Sequence, residues 1–152
     1  MPAISSFRFD APCTAGETHM SAAADPVFRP DGLPAWTLNR TVAGAGRFRL
    51  GATLLDTVPG DLVLLAPGVY NHYGPAPNPG GWVHQWSVFE AADHWHDLLT
   101  WPSPAPGLRH LRCAEEPLDA QLGARFEDLI ASVQGVHPRH RDIGLALVHV
   151  LL

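Results

Sequence analysis

The side chains with the most chemistry to offer in this chain are two indoles, an imidazole, a phenol and a guanidinium. Three of them share one stretch, Trp82-Val83-His84-Gln85-Trp86-Ser87-Val88-Phe89. Side chains alternate across a strand, so Trp82, His84, Trp86 and Val88 lie on one face and Val83, Gln85, Ser87 and Phe89 on the other. Each buried indole N–H or imidazole needs a hydrogen-bond partner, which makes a line of such rings costly in an ordinary core. Taken alone, the pattern fits a half-buried surface or a satisfied core as well as a ligand site. Tyr73, beyond the turn at Pro67-Gly68, and Arg29, far upstream in Phe28-Arg29-Pro30, add a phenol and a cation that a curled sheet could bring to the same place. That mixture suits a polar ring with apolar C–H faces, such as a sugar. An indole stacks on the ring, and an Arg fork with neutral polar groups takes the hydroxyls.

The elements that would position these groups are short and turn-rich. Fifteen Pro and fourteen Gly against 16% charged residues point to many strands and turns rather than long exposed helices. Strands are predicted over 36–42, over 47–50 and 53–55 as a hairpin about Gly51, and over 62–65, 82–89 and 108–113. That is enough for a small barrel, which removes exposed edges by closing on itself. Residues 1–24 have only sparse apolar positions, Ile4, Phe7 and Phe9, and read as an arm with a short strand around 13–20 that orders when it has something to lie on. Past the barrel the period changes. A short helix over 91–100 stops at Trp101-Pro102, because a residue before proline is pushed out of the helical region. Pro117 opens a second helix with a stripe of Leu118, Leu122, Phe126, Leu129 and Val133. A third follows Asp142 as its N-cap and is apolar nearly all round to residue 152, which predicts either a subunit interface or a chain cut short there.

Composition excludes several classes. A chain of 152 residues has room for one domain with a real core, and a net charge of -5 argues against this segment gripping a phosphate backbone itself. No apolar run reaches membrane-spanning length, and Arg8, Asp10, Glu17 and His19 break up any signal-peptide core, so a retained, cytoplasmic chain is expected. Cys13 and Cys113 are expected as reduced thiols. There is no Gly-x-Ser-x-Gly elbow, no phosphate loop and no Cys-x-x-Cys, and Gly44-x-Gly46 is a turn rather than a dinucleotide fingerprint. Glu115-Glu116, His94, His96 and the loop Arg139-His140-Arg141 read as surface groups.

Three segments, PGDLVLLAPGVYNHYG, WVHQWSVF and HWHDLLTWP, carry a further signal. In residue type and spacing the chain resembles the N-terminal arabinose-binding and dimerisation domain of AraC-type transcription regulators over nearly its whole length. The resemblance implies a mainly β fold with C-terminal helices: a cupin-like (double-stranded β-helix, jelly-roll) barrel, preceded by an arm and followed by an antiparallel helix pair. It implies an arm and sugar-binding barrel over 1–115 and a helical dimerisation segment over 116–152. It places ligand contacts on Pro2, Phe9 and Thr18 from the arm side and on Arg29, Tyr73, His84 and Trp86 from the barrel, with Trp86 stacking on the sugar. The implied ligand is a monosaccharide, L-arabinose or similar, that reorders the arm to switch transcription. The implied partners are a second copy through the C-terminal helices, and DNA only through a helix-turn-helix domain outside this chain.

The alternative is a metal-dependent cupin enzyme acting on a small sugar or acid. Such barrels take two His and a carboxylate from one hairpin and another His from the next. Residues 41–50 contain no His, and Asn71 stands where the second hairpin would supply one. His72 and His84 alone make a weak site, so neither a metal nor another cofactor is expected, and the chain is expected not to be an enzyme.

Overall fold

The computed structural model describes residues 2–152. Two antiparallel sheets face each other. Cys13–Met20 (β1), Trp82–Phe89 (β8), Trp36–Gly44 (β3), Asp61–Leu65 (β6) and Leu108–Arg112 (β9) form the larger, in the order β1-β8-β3-β6-β9. Val27–Arg29 (β2), Asn71–Pro75 (β7), Gly46–Leu50 (β4) and Thr53–Thr57 (β5) form the smaller, in the order β2-β7-β4-β5. The architecture is therefore the expected cupin-like β fold, with the barrel taking the form of a two-sheet sandwich. Two of its strands, β2 and β7, went unforeseen in the sequence: each is short and neither alternates apolar with polar residues.

The larger sheet is buried on both faces, which explains why β6 is a continuous apolar run rather than an alternating one. Val63 and Leu65 point inward to Phe48, Tyr73, Trp82 and Leu108. Leu38, Leu62, Leu64 and Phe89 point outward and are covered by Leu118–Gln134 (α1) and His140–Leu151 (α2), through Phe126, Leu129, Val148 and Leu151. The predicted stripe on α1 is the packed one, with Phe126 and Leu129 fully buried. The last helix begins earlier than expected. Arg139 is its N-cap residue, and Asp142 lies in the first turn, where its carboxylate accepts from Arg139 Nε at 3.2 Å. The short helix after β8 is a 3-10 helix over Asp93–Leu99, with Trp95 and Leu99 buried and His94 and His96 exposed.

A polar ladder crosses the outer face of the larger sheet. Gln85 donates to Glu17 at 3.3 Å, Arg40 Nη1 donates to Gln85 at 3.0 Å, and Arg40 Nη2 donates to the Asp119 carboxylate of α1 at 2.7 Å. Arg40 is almost fully buried, so this pairing answers a charge that would otherwise be expensive to hold there.

The N-terminal arm lies along β2. Ser5 N donates to Phe28 O at 2.9 Å and Phe28 N donates to Ser5 Oγ at 3.0 Å, so the arm extends the smaller sheet by one short pairing. At the arm's root, Arg141 of α2 holds the Asp10 carboxylate and donates to Ala11 O at 2.9 Å. No helix of the described residues is long and apolar enough to cross a membrane.

Candidate ligand-binding site

The sandwich holds a partly open cavity of about 140 Å³ between the inner faces of its sheets. Its lining brings together distant parts of the chain: Phe7 from the arm, Thr18 and Met20 from β1, Val27 and Arg29 from β2, Thr37 from β3, Tyr73 from β7, and His84, Trp86 and Val88 from β8. Five of the seven residues named from the sequence, Thr18, Arg29, Tyr73, His84 and Trp86, thus line one hollow. The other two lie outside its lining. Pro2 is half-buried at the start of the arm, and Phe9 packs with Phe7 and Trp86 against Leu33, Ala35 and Val88.

Strand register explains the convergence. β1 and β8 are paired with Thr18 opposite His84 and Gly16 opposite Trp86. Gly16 is what lets the indole lie there, since a Cβ at that position would sit 2.7 Å from Trp86 Cζ2. Trp86 Nε1 donates to Thr18 Oγ1 at 3.0 Å, which fixes the indole at the cavity wall. The Phe7 ring meets it at 89° with centroids 5.5 Å apart, so the arm contributes the aromatic group at the cavity's edge.

Arg29 supplies the cavity's cation. Its Nη1 donates to Asn71 Oδ1 and to the Tyr73 hydroxyl, both at 3.3 Å, and its guanidinium lies 5.1 Å from the Phe7 centroid. None of its hydrogen bonds goes to a carboxylate, and its buried Nε has no partner among the described residues. Asn71, where a metal-binding cupin would present histidine, here accepts from Arg29 and donates to Val69 O at 2.8 Å. No group of three or more His, Cys, Asp or Glu side chains among the described residues is arranged to hold a metal ion.

His84 is 3% exposed and lies flat against Trp82, with ring centroids 3.8 Å apart and 4° between planes. Its Nδ1 lies within hydrogen-bond distance of Asn39 Oδ1, at 3.0 Å, and both its Nε2 and the Asn39 Nδ2 are buried without a partner among the described residues. Burial, which penalises the charged ring, pushes its pKa down to about 3, so it is neutral across physiological pH.

The sequence did not single out Phe7, Met20, Val27, Thr37, Val88 or Asn39 for this site. For Asn39 and Thr37 a signal was present: polar residues at alternate positions of one strand, on the face opposite Trp36 and Leu38, both 2% exposed.

A small, partly open hollow with apolar walls and a few converging polar side chains suits a small-molecule-binding domain. The chain belongs to the AraC-like ligand binding domain family, whose model matches residues 16–147. It is 34% identical to the arabinose operon regulatory protein of Salmonella typhimurium over 99% of this chain and 54% of that protein. To the Escherichia coli protein of the same name it is 35% identical, over 67% of this chain and 36% of that protein. The chain therefore spans about half the length of the first of these curated relatives and about a third of the second. Both are regulatory proteins, and this chain is a binding domain rather than an enzyme. Among solved structures it is similar to apo ToxT of Vibrio cholerae, with a TM-score of 0.65 at 7% identity over 93% of this chain and 53% of that one. It is also similar to ToxT bound to an unsaturated fatty acid, with a TM-score of 0.55 at 5% identity over 95% of this chain and 54% of that one. At such identities the likeness is one of fold alone.

Proposed function

We propose that this chain is the sensing part of a transcription regulator, and that its cavity takes a monosaccharide, L-arabinose before others. The observation that carries the reading is the meeting of Trp86 with the polar side chains of Arg29, Tyr73, His84 and Thr18 around one small hollow. A sugar ring offers a C–H face to the indole and hydroxyls to these polar groups. A neutral hydrogen bond contributes about 1 kcal/mol net and one to a charged group about 1.5–3. Specificity then rests on summed geometry and on the penalty a wrong isomer incurs by leaving a buried group unpaired.

On this reading Arg29, Tyr73, His84 and Thr18 hold hydroxyls and Trp86 stacks on the ring. The arm, from Pro2 to Phe9, closes over the sugar, with Phe7 making the contact and Phe9 braced behind it. Sugar shifts the arm toward this closed state by its differential affinity for that state. The helical segment 116–152 pairs two copies, and a DNA-binding domain beyond this chain, engaged by the arm when sugar is absent, reads the operator.

Titration with L-arabinose, D-fucose, D-galactose and D-xylose, followed by intrinsic fluorescence, tests the ligand. The expected result is a saturable change, strongest for L-arabinose, that disappears in Trp86→Phe. No response to any of the four would overturn the sugar reading.

A further inference from the structure

Resting on the reading of the cavity as a sugar site, we propose that Asn39 is a positioning residue. It fixes His84 in the Nδ1–H form, which makes His84 Nε2 the cavity's dedicated hydrogen-bond acceptor and selects ligands that present a hydroxyl hydrogen to it.

The donors and acceptors around the hollow are unequal. Arg29 can only donate. The Tyr73 oxygen already receives Arg29 Nη1–H, which leaves its own hydrogen to give. The Thr18 oxygen already receives Trp86 Nε1–H, so each hydroxyl keeps its hydrogen to give and one further lone pair. A cavity furnished this way is rich in donors, and a ligand hydroxyl that accepts from one of them still has its own hydrogen to place. In the Nδ1–H form His84 Nε2 is suited to take it, since it alone among these groups has no hydrogen to give in return. An imidazole nitrogen accepts only when its hydrogen is on the other nitrogen, and which nitrogen bears it is set by what that other nitrogen touches. Here it touches Asn39 Oδ1 at 3.0 Å, an oxygen that can only accept.

The surroundings hold this arrangement. Asn39 is 2% exposed, so water does not compete for its carbonyl. The ring is pressed on Trp82, whose Nε1 donates to Thr41 Oγ1 at 3.1 Å, and Thr41 in turn shares a 2.8 Å hydrogen bond with Thr57. Rotating the imidazole to present another edge would strand both its Nδ1–H and the Asn39 oxygen in a buried setting. Because burial also keeps the ring unprotonated, the acceptor persists at any pH where the protein would work. A ligand that brings a carboxylate or ether oxygen to this corner meets a lone pair with a lone pair. A ligand that brings a hydroxyl is matched. Asn39 touches no ligand in this scheme and acts only through His84.

Long-range 1H–15N correlation of the histidine rings reads the tautomer directly in the sugar-free protein. The expected spectrum for His84 at pH 7 is neutral, with hydrogen on Nδ1 and a bare Nε2. An Nε2–H ring, or an imidazolium, would overturn the proposal. Asn39→Asp places a carboxylate against Nδ1, draws a second proton onto the ring and turns Nε2 into a donor. Sugar affinity is then expected to fall at least tenfold, with far-UV circular dichroism and melting retained. An imidazolium signal with undiminished affinity would sink the idea, and should that variant not fold, the wild-type ring spectrum decides alone. The two readings fail differently. A bare Nε2 with no sugar response leaves the positioning role and removes the sugar, whereas an Nε2–H ring with intact sugar binding removes the role of Asn39 and keeps the sugar.

Discussion

The interior of the sandwich has two ends, both built from the same face of β8. At one end Trp82, with no exposed surface, donates to Thr41, Thr41 and Thr57 share a hydrogen bond, and Gly46 N donates to Thr57 at 3.2 Å. Phe48, Val63, Leu65 and Leu108 fill the space around them. At the other end Trp86 is half-buried, and the nearby Arg29 Nε is buried with no partner among the described residues. Two tryptophans four residues apart on one strand thus do opposite jobs. The residue type does not separate them. The space in front of each ring does: Trp82 is packed against Phe48 and His84, whereas Trp86 lines the hollow.

If that contrast holds, substitutions at the two ends must separate stability from binding. The largest effect is expected at the closed end. Trp82→Ala removes a fully buried indole and the stacking partner of His84, and denaturant unfolding should show a loss of about 3–5 kcal/mol. Next comes acid. The unfolded chain protonates His84 below its ordinary value near 6.5 and the folded chain not until about 3, so the unfolded state binds more protons in between and stability falls as pH falls. The slope is about 1.4 kcal/mol per pH unit, or roughly 2 kcal/mol by pH 5. His84→Gln should remove that part of the acid sensitivity in parallel unfolding curves. At the open end Arg29→Met should weaken sugar binding at least tenfold by calorimetry yet cost only about 1 kcal/mol of stability, from the hydrogen bonds lost to Asn71 and Tyr73. Equal loss of stability in Arg29→Met and Trp82→Ala would erase the distinction between the ends. The smallest effect belongs to the arm's root. Asp10→Ala breaks an exposed pairing with Arg141, should cost under about 1 kcal/mol, and should be seen as faster exchange of arm amides rather than in melting.

How much of this was legible in the sequence follows from where the information lay. The alternation of β8 and β3, the hairpin about Gly51 and the apolar stripe of α1 are local patterns, and each appears where expected. β2 and β7 are not local: Val27–Arg29 and Asn71–Pro75 are strands because they pair with each other and with β4. Tyr73 and Arg29 could be named from the resemblance, but the hydrogen bond that joins them depends on that pairing. The arm shows the same limit. Phe7 and Phe9 are alike in sequence, and only the register set by Ser5 against Phe28 puts Phe7 at the cavity. Asp142 looked like a cap because it precedes an apolar run, yet the helix starts sooner, at His140.

Thr18, Asn39 and His84 each have a chain neighbour, Glu17, Arg40 and Gln85, that belongs to the ladder running to Asp119 on α1. Neighbours joined through one planar peptide cannot tilt independently. Re-tailoring the hollow for a new compound therefore carries a second task. Every replacement that nudges a strand from within also tugs on the seat of a helix outside, and a library screened for affinity alone would accumulate variants whose helices no longer dock as before.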